Sequence, residues 1–180
     1  MVSSLVSLPF HGTFAGHQLI EGWQLSGIAN VHSGVPLDIQ DGFDQAGLGT
    51  AFYGDRPNLN AGRTASNVVT GTKDHWIDPT AFTLPPVGEL GNMGRNNIIG
   101  PHFWDIDFSV LKDTNITERF RLQFRAEFFN ILNHSNWGLP NTQIFQQGPN
   151  GTGIPNPIAG QIISVATPMR QIQFGLKLLF

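Results

Sequence analysis

The stretch "FRLQFRAEFF", residues 120–129, limits what this chain can fold into more than any other part of it. Phe120, Leu122, Phe124, Ala126 and Phe128 stand at every second position, with Arg121, Gln123, Arg125 and Glu127 between them. A period of two reads as a strand with one apolar face and one wet face. The alternation recurs in "RQIQFGLKLLF" (170–180) and "WDIDFSVLK" (104–112). It returns in "GWQLSGIANVH" (22–32), where Ile28 breaks the polar side, and more weakly in "VSSLVSLPF" (2–10). These segments predict an all-β chain with strands at about 2–10, 22–32, 104–112, 119–129 and 170–180.

Ordinary strands run about five or six residues. A strand of ten residues, rising about 3.3 Å per residue and tilted near 45°, covers roughly 23 Å, close to the apolar band of an outer-membrane barrel. Trp23, Trp104 and Phe180 lie at strand ends, where interfacial aromatic girdles sit. A soluble β-sandwich alternates too, with its apolar face as the core. Periodicity alone leaves both architectures open.

The connections separate them. Between residues 112 and 119 lies only the polar turn "DTNITE", whereas about seventy residues rich in Gly, Pro, Asn and Asp separate His32 from Phe103. A second long connection runs from about residue 130 to 168. Short turns at one end and long loops at the other are the asymmetry of a bacterial outer-membrane barrel. In a compact soluble domain, a patternless loop of that length counts against the assignment.

Composition supports this and excludes other classes. Only 13% of the 180 residues are charged, about half the usual share of a soluble domain. A net charge of −3 gives no basic footprint for nucleic acid. Twenty-one Gly and 12 Pro imply turns and loops rather than helices. With no cysteine, neither a disulfide scaffold nor a thiolate zinc site is available. No run of 18 apolar residues exists to make a transmembrane helix. "MVSSLVSLPFHG" lacks the basic region and cleavage site of a signal peptide, so the chain is expected to be a fragment of a longer protein, with Met1 set by where the reading frame was cut.

Seven segments occur in a telling order: "GWQLSGIANVHSGVPL" (22–37), "DRPNL" (55–59), "WIDPTAF" (76–82), "GNMGRNNIIGP" (91–101), "DFSVLKD" (107–113), "ERFRLQFRAEFFNILNHSNWGLPN" (118–141) and "RQIQFGLKLLF" (170–180). Together they resemble the C-terminal barrel segment of TonB-dependent outer-membrane receptors. The likeness is greatest to the Oar-like group, whose members carry an N-terminal carboxypeptidase-regulatory-like domain. The resemblance implies an antiparallel up-and-down meander, the C-terminal part of a transmembrane β-barrel in the bacterial outer membrane. Its parent would bind or import a nutrient, with the plug domain outside this chain.

In that family the last strand ends in the periplasm in an aromatic residue read by the barrel-assembly machinery, which implies an assembly signal at Phe174, Leu176, Leu178 and Phe180. Fixing that end makes residues 130–169 and 33–103 extracellular loops and "DTNITE" a periplasmic turn. The connection 9–19 is then a longer periplasmic one. "GQIISVA" (160–166) alternates as well, but a sixth span would reverse the parity, so it is read as part of an extracellular hairpin. Phe120, Leu122, Phe124 and Phe128 are then expected to face lipid. Asp105, Asp107, Arg121, Arg125 and Glu127 are expected to face the lumen, where the resemblance implies a plug and, through it, TonB.

Candidate chemistry is sparse. Asp105 and Asp107 share a strand face at a spacing that a glycosidase pair could use; lumen acids paired with plug or neighbouring-strand arginines are the plainer reading. Asp74, His75 and Asp78 in "KDHWIDP" lack a second histidine at ligand spacing, and His11, His17, His32, His102 and His134 are scattered singly. "GNMGRN" lacks the Lys-Ser/Thr ending of a phosphate loop, and no serine has a nucleophile-elbow context. "NILNHSNWGLPN" (130–141) reads as a structural corner whose asparagines cap turns. "DRPNL" reads as a Pro-anchored turn held by an Asp55–Arg56 pair, or as a binding surface together with Asn58. Neither enzyme activity, a metal nor another cofactor is expected, and ligand contacts are left open. A cell-surface β-sandwich for adhesion or carbohydrate binding is the alternative.

Overall fold

The computed structural model describes residues 1–10, 19–49 and 54–180. The strands are β1 (Val2–Ser7), β2 (Trp23–His32), β3 (Pro36–Leu37), β4 (Asn58–Leu59), β5 (Phe82–Thr83), β6 (Ile98–Ile99), β7 (Phe103–Asn115), β8 (Arg121–Phe129), β9 (Phe145–Gln147), β10 (Gly153–Pro155) and β11 (Gln171–Leu179). Two compact units share them: Met1–His32 with Phe103–Asn136 and Thr167–Phe180, and Ser33–His102 with Trp137–Ala166. No helix among the described residues is long and apolar enough to cross a membrane.

The first unit is a five-stranded sheet in the order β1-β2-β7-β8-β11, antiparallel at every pairing. It is the up-and-down meander expected from the sequence, and it is open, with β1 and β11 at its edges. Register follows the alternation. Val6, Leu25, Val110, Ala126 and Phe174 form one rung across all five strands, and Leu5, Ser26, Ser109, Glu127 and Gln173 form its neighbour. A slip of one residue in any strand would carry its apolar set to the polar face. Cross-strand aromatics reinforce the pairing: Phe108 and Phe128 lie 6.3 Å apart, and Phe124 stacks on Phe174 at 6.2 Å.

Several boundaries differ from the sequence expectation. β1 ends at Ser7 rather than near residue 10, while β7 runs on to Asn115, shortening the "DTNITE" turn. Asp113 and Asn115 stay paired because their side chains meet Gln123 and Arg121 opposite. The turn closes through the Phe120 carbonyl, which accepts from the Ile116 and Thr117 N–H groups. Phe120 therefore belongs to the turn and not to β8. Gly22, at φ +74°, lets its carbonyl accept from the Asp113 N–H at 2.9 Å, and a Cβ there would collide with the Asp113 carbonyl.

Most of the 33–103 and 130–169 connections, expected as long extracellular loops, form the second unit, with a core of its own. Leu37, Ile39, Phe43, Val68, Ile77, Phe82, Met93, Ile98, Ile144 and Phe145 are buried together in it. Short antiparallel ladders frame this core: β3 with β6, β4 with β5, and β9 with β10. "GQIISVA" pairs antiparallel with residues 137–141, the Gly138 N–H donating to the Ser164 carbonyl and the Asn141 N–H to that of Gln161, so it forms one arm of a hairpin as expected. Ile162 is buried, its N–H donating to the Lys73 carbonyl, and Val165 bridges Trp137. The connection 9–19 falls largely outside the described residues, as do His11 and His17.

Candidate functional site

In the sheet, the chemistry lies in the contrast between its two faces. On the apolar face Val2, Val6, Val31, Phe124, Ile172, Phe174, Leu176 and Leu178 are all exposed. Leu122 and Phe128 are half-buried, and Ala126 is covered between its cross-strand neighbours Val110 and Phe174. Lys112 is the one charged residue of that face, and it sits at the sheet end. Its Nζ donates to the Glu21 carbonyl at 2.5 Å and lies 5.2 Å from the Trp23 ring centre, so the charge leaves the apolar band while the stem stays in it. Phe180, beyond the end of β11, is 96% exposed.

The opposite face carries Gln123, Arg125, Glu127, Gln173 and Lys177 around an open depression of about 320 Å³. Arg125 pairs with Glu127 at 3.5 Å and Gln123 with Asp113 at 3.0 Å. The expected pairing of Asp105 and Asp107 with strand arginines is not what is found. Asp107 Oδ1 accepts from the Asn130 N–H at 2.9 Å, fixing the end of β8, and Asp105 Oδ1 is buried without a partner.

The Asn130 corner is held by its own amides. Asn130, at φ +50°, donates to the His134 and Pro168 carbonyls and accepts from the His134 N–H. Asn133 accepts from the Arg170 N–H, and Asn136 from the Trp104 N–H. The His134 ring stacks on Trp104 at 3.9 Å. These groups are spent on backbone geometry.

In the second unit, three of the quoted segments interlock. Asn58 and Asn92 exchange contacts, Asn58 Oδ1 accepting from the Asn92 N–H and Asn92 Oδ1 from the Leu59 N–H. The Met93 N–H donates to the Pro57 carbonyl, and the Asn60 N–H to that of Ala81. Asp78 caps the 3-10 turn Pro79–Ala81 and also pairs with Arg63. The Thr80 hydroxyl and N–H, together with Arg63, hold its carboxyl below the usual carboxylate range. Asp78 is thereby committed, and Asp74, His75 and Asp78 form no ligand set; among the described residues no three His, Asp or Glu side chains converge.

The expected Asp55–Arg56 pair is absent; the two ion pairs among the described residues are Arg63–Asp78 and Arg125–Glu127. Asp55 is buried beside Asp41 instead. Its Oδ2 accepts from the Ala46 N–H at 2.6 Å, and its carbonyl accepts from the Asp41 N–H at 2.9 Å. Burial, and then the Asp55 charge, push the Asp41 carboxyl up to about 7. The unit also holds an open, mostly apolar depression of about 690 Å³, with Trp76, Val69 and Ile99 on its walls and Thr64, Asn97 and His102 among its polar groups. The Trp76 indole N–H donates to the Ile99 carbonyl at 3.1 Å, fixing the ring. Sequence reading missed both features. Nothing marks Asp41 or Trp76 until the chain is folded, because their partners lie at distant positions.

With the geometry in hand, comparison with known proteins gives the class. The family described as outer membrane beta barrel domain matches residues 1–173, so the chain belongs to that family. No curated protein and no solved structure matches it.

Proposed function

We propose that the chain is the C-terminal barrel segment of a TonB-dependent receptor in the bacterial outer membrane, whose parent binds or imports a nutrient. The observation that carries this reading is the two-faced sheet: an apolar set on one side, exposed along the edge strands and half-buried on the central ones, and a polar set on the opposite side. A sandwich would bury that apolar face, so the adhesion reading has no support here. In the proposed orientation Leu122, Phe124 and Phe128 meet lipid, with Phe120 at the periplasmic turn. Asp105, Asp107, Arg121, Arg125 and Glu127 line the lumen against the plug. The segment Phe174–Phe180 is the part read by the barrel-assembly machinery.

β2 leaves the sheet, and β7 enters it, at the same end at which β8 leaves and β11 enters. In a barrel that end is extracellular, so the connections 33–103 and 130–169 would be what a nutrient meets first. No catalytic group is assigned, and the protein acts by binding and admission rather than by turnover.

The test is made in the native host. Deleting the gene should abolish growth on the nutrient concerned, and deleting the TonB energy complex should abolish it equally. Uptake that survives loss of TonB would exclude the receptor reading while leaving the barrel in place.

A further inference from the structure

We propose that Asp41 and Asp55 form a calcium site inside the Ser33–His102 and Trp137–Ala166 unit. Asp41 is 0% exposed and neither carboxylate oxygen has a hydrogen-bond partner. Asp55 is 5% exposed; its Oδ2 is taken by the Ala46 N–H, and its Oδ1 has no partner. The bond from the Asp41 N–H to the Asp55 carbonyl keeps the two residues adjacent. Neither acid belongs to either ion pair among the described residues.

Buried polar atoms nearly always have partners, and a buried carboxylate without a counter-charge is among the costliest of exceptions. The pair therefore calls for a proton or a cation. A single shared proton satisfies two oxygens, one as O–H donor and one as acceptor. Here three oxygens are open: both of Asp41 and Oδ1 of Asp55. A cation held bidentately by Asp41 and through one oxygen by Asp55 engages all three.

The donor chemistry selects the ion. The chain has no cysteine, and no histidine completes a three-side-chain group among the described residues, so nitrogen- and sulfur-seeking metals lack their ligands. Asp44 is committed to the Leu48 and Gly49 N–H groups and is not a third ligand. The remaining oxygens are those of nearby backbone carbonyls and Asp38 Oδ1, itself buried without a partner, and the local chain is a run of bends with Gly42, Gly47 and Gly49 at positive φ. Calcium accepts irregular sets of six to eight oxygens that include carbonyls, whereas magnesium demands near-octahedral geometry and retains water, which a fully buried Asp41 does not favour. Two carboxylates place the affinity among the weak sites typical of extracellular modules, Kd about 0.1–1 mM.

Equilibrium dialysis of the full chain in lipid vesicles, with calcium ion as the probe, tests this. The expected result is one calcium per chain, with affinity lowered at least tenfold in Asp41→Asn and in Asp55→Asn and unchanged in Glu127→Gln on the sheet. Calcium should also raise the thermal midpoint of the wild-type chain. Absence of binding in the wild-type chain is decisive even if a variant fails to fold. No calcium bound at ~5 mM, well above the expected Kd, would overturn the site, as would unaltered affinity in both Asp variants. Equal affinity for magnesium would overturn the choice of calcium.

Discussion

The sheet leaves its large apolar side chains open: Phe174, Leu176 and Leu178 are exposed along an edge strand of nine residues. The unit built from the long connections does the reverse, with Ile39, Ile77 and Ile98 at 0% exposure among strands only two or three residues long. Regular backbone goes with open apolar surface in one region, and irregular backbone with a closed core in the other. In water the first would be unstable and the second ordinary. On the proposed reading the sheet would complete its burial against lipid, while the connecting unit, in water, must bury its own.

The largest effect that could break this contrast is in the connecting unit. Ile77→Ala should cost about 2–5 kcal/mol in denaturant unfolding of the vesicle-embedded chain, because a fully buried side chain leaves a cavity. A loss below that range would mean the core is loose. Somewhat smaller is the effect of charge on the sheet. Phe174→Arg should cost about 2–4 kcal/mol in lipid, whereas Gln173→Arg, next along the strand and on the opposite face, should stay within about 0.5 kcal/mol. Equal costs for the two would abolish the distinction between faces.

The smallest effect sharpens the account of how an irregular unit holds its backbone. Asp78→Asn should cost about 1 kcal/mol at neutral pH through loss of a charged cap. The Asp78 carboxyl lies below its ordinary value in the folded chain, so its stabilisation is complete above the unfolded value of about 4 and fades as pH falls through the folded one. The gap in unfolding midpoint between Asp78→Asn and wild type should accordingly narrow on acidification. A gap that widened would reverse the assigned sign.

The two regions also differ in how far the sequence discloses them. Alternation in residues 22–32, 104–112, 119–129 and 170–180 suffices for the meander, because each strand carries its own two-faced pattern and neighbouring strands must match faces. The ends escape it: β7 reaches Asn115 through side-chain contacts with Gln123 and Arg121, which no single strand displays. The connecting unit escapes almost wholly. Ile39, Val68, Ile77, Ile98 and Ile144 are single apolar residues far apart in the chain, with no period to join them. "GQIISVA" is legible in part: its alternation goes with an antiparallel pairing to residues 137–141, but nothing in it shows that Ile162 enters the core. The buried acids Asp41 and Asp55 were equally hidden, since a carboxylate's burial is decided by what packs over it.

The most direct test of the two-faced sheet uses the absence of native cysteine, which makes every introduced thiol unique. Single cysteines placed in turn at Arg121, Leu122, Gln123, Phe124, Arg125, Glu127 and Phe128 of the lipid-embedded chain are labelled with a water-soluble maleimide, and a fluorophore at each is then challenged with brominated lipid. The account predicts strict alternation: positions 121, 123, 125 and 127 react from water and escape the lipid quencher, while 122, 124 and 128 resist the reagent and are quenched. Uniform reactivity along the strand, or quenching at the 121, 123 and 125 positions, would contradict it.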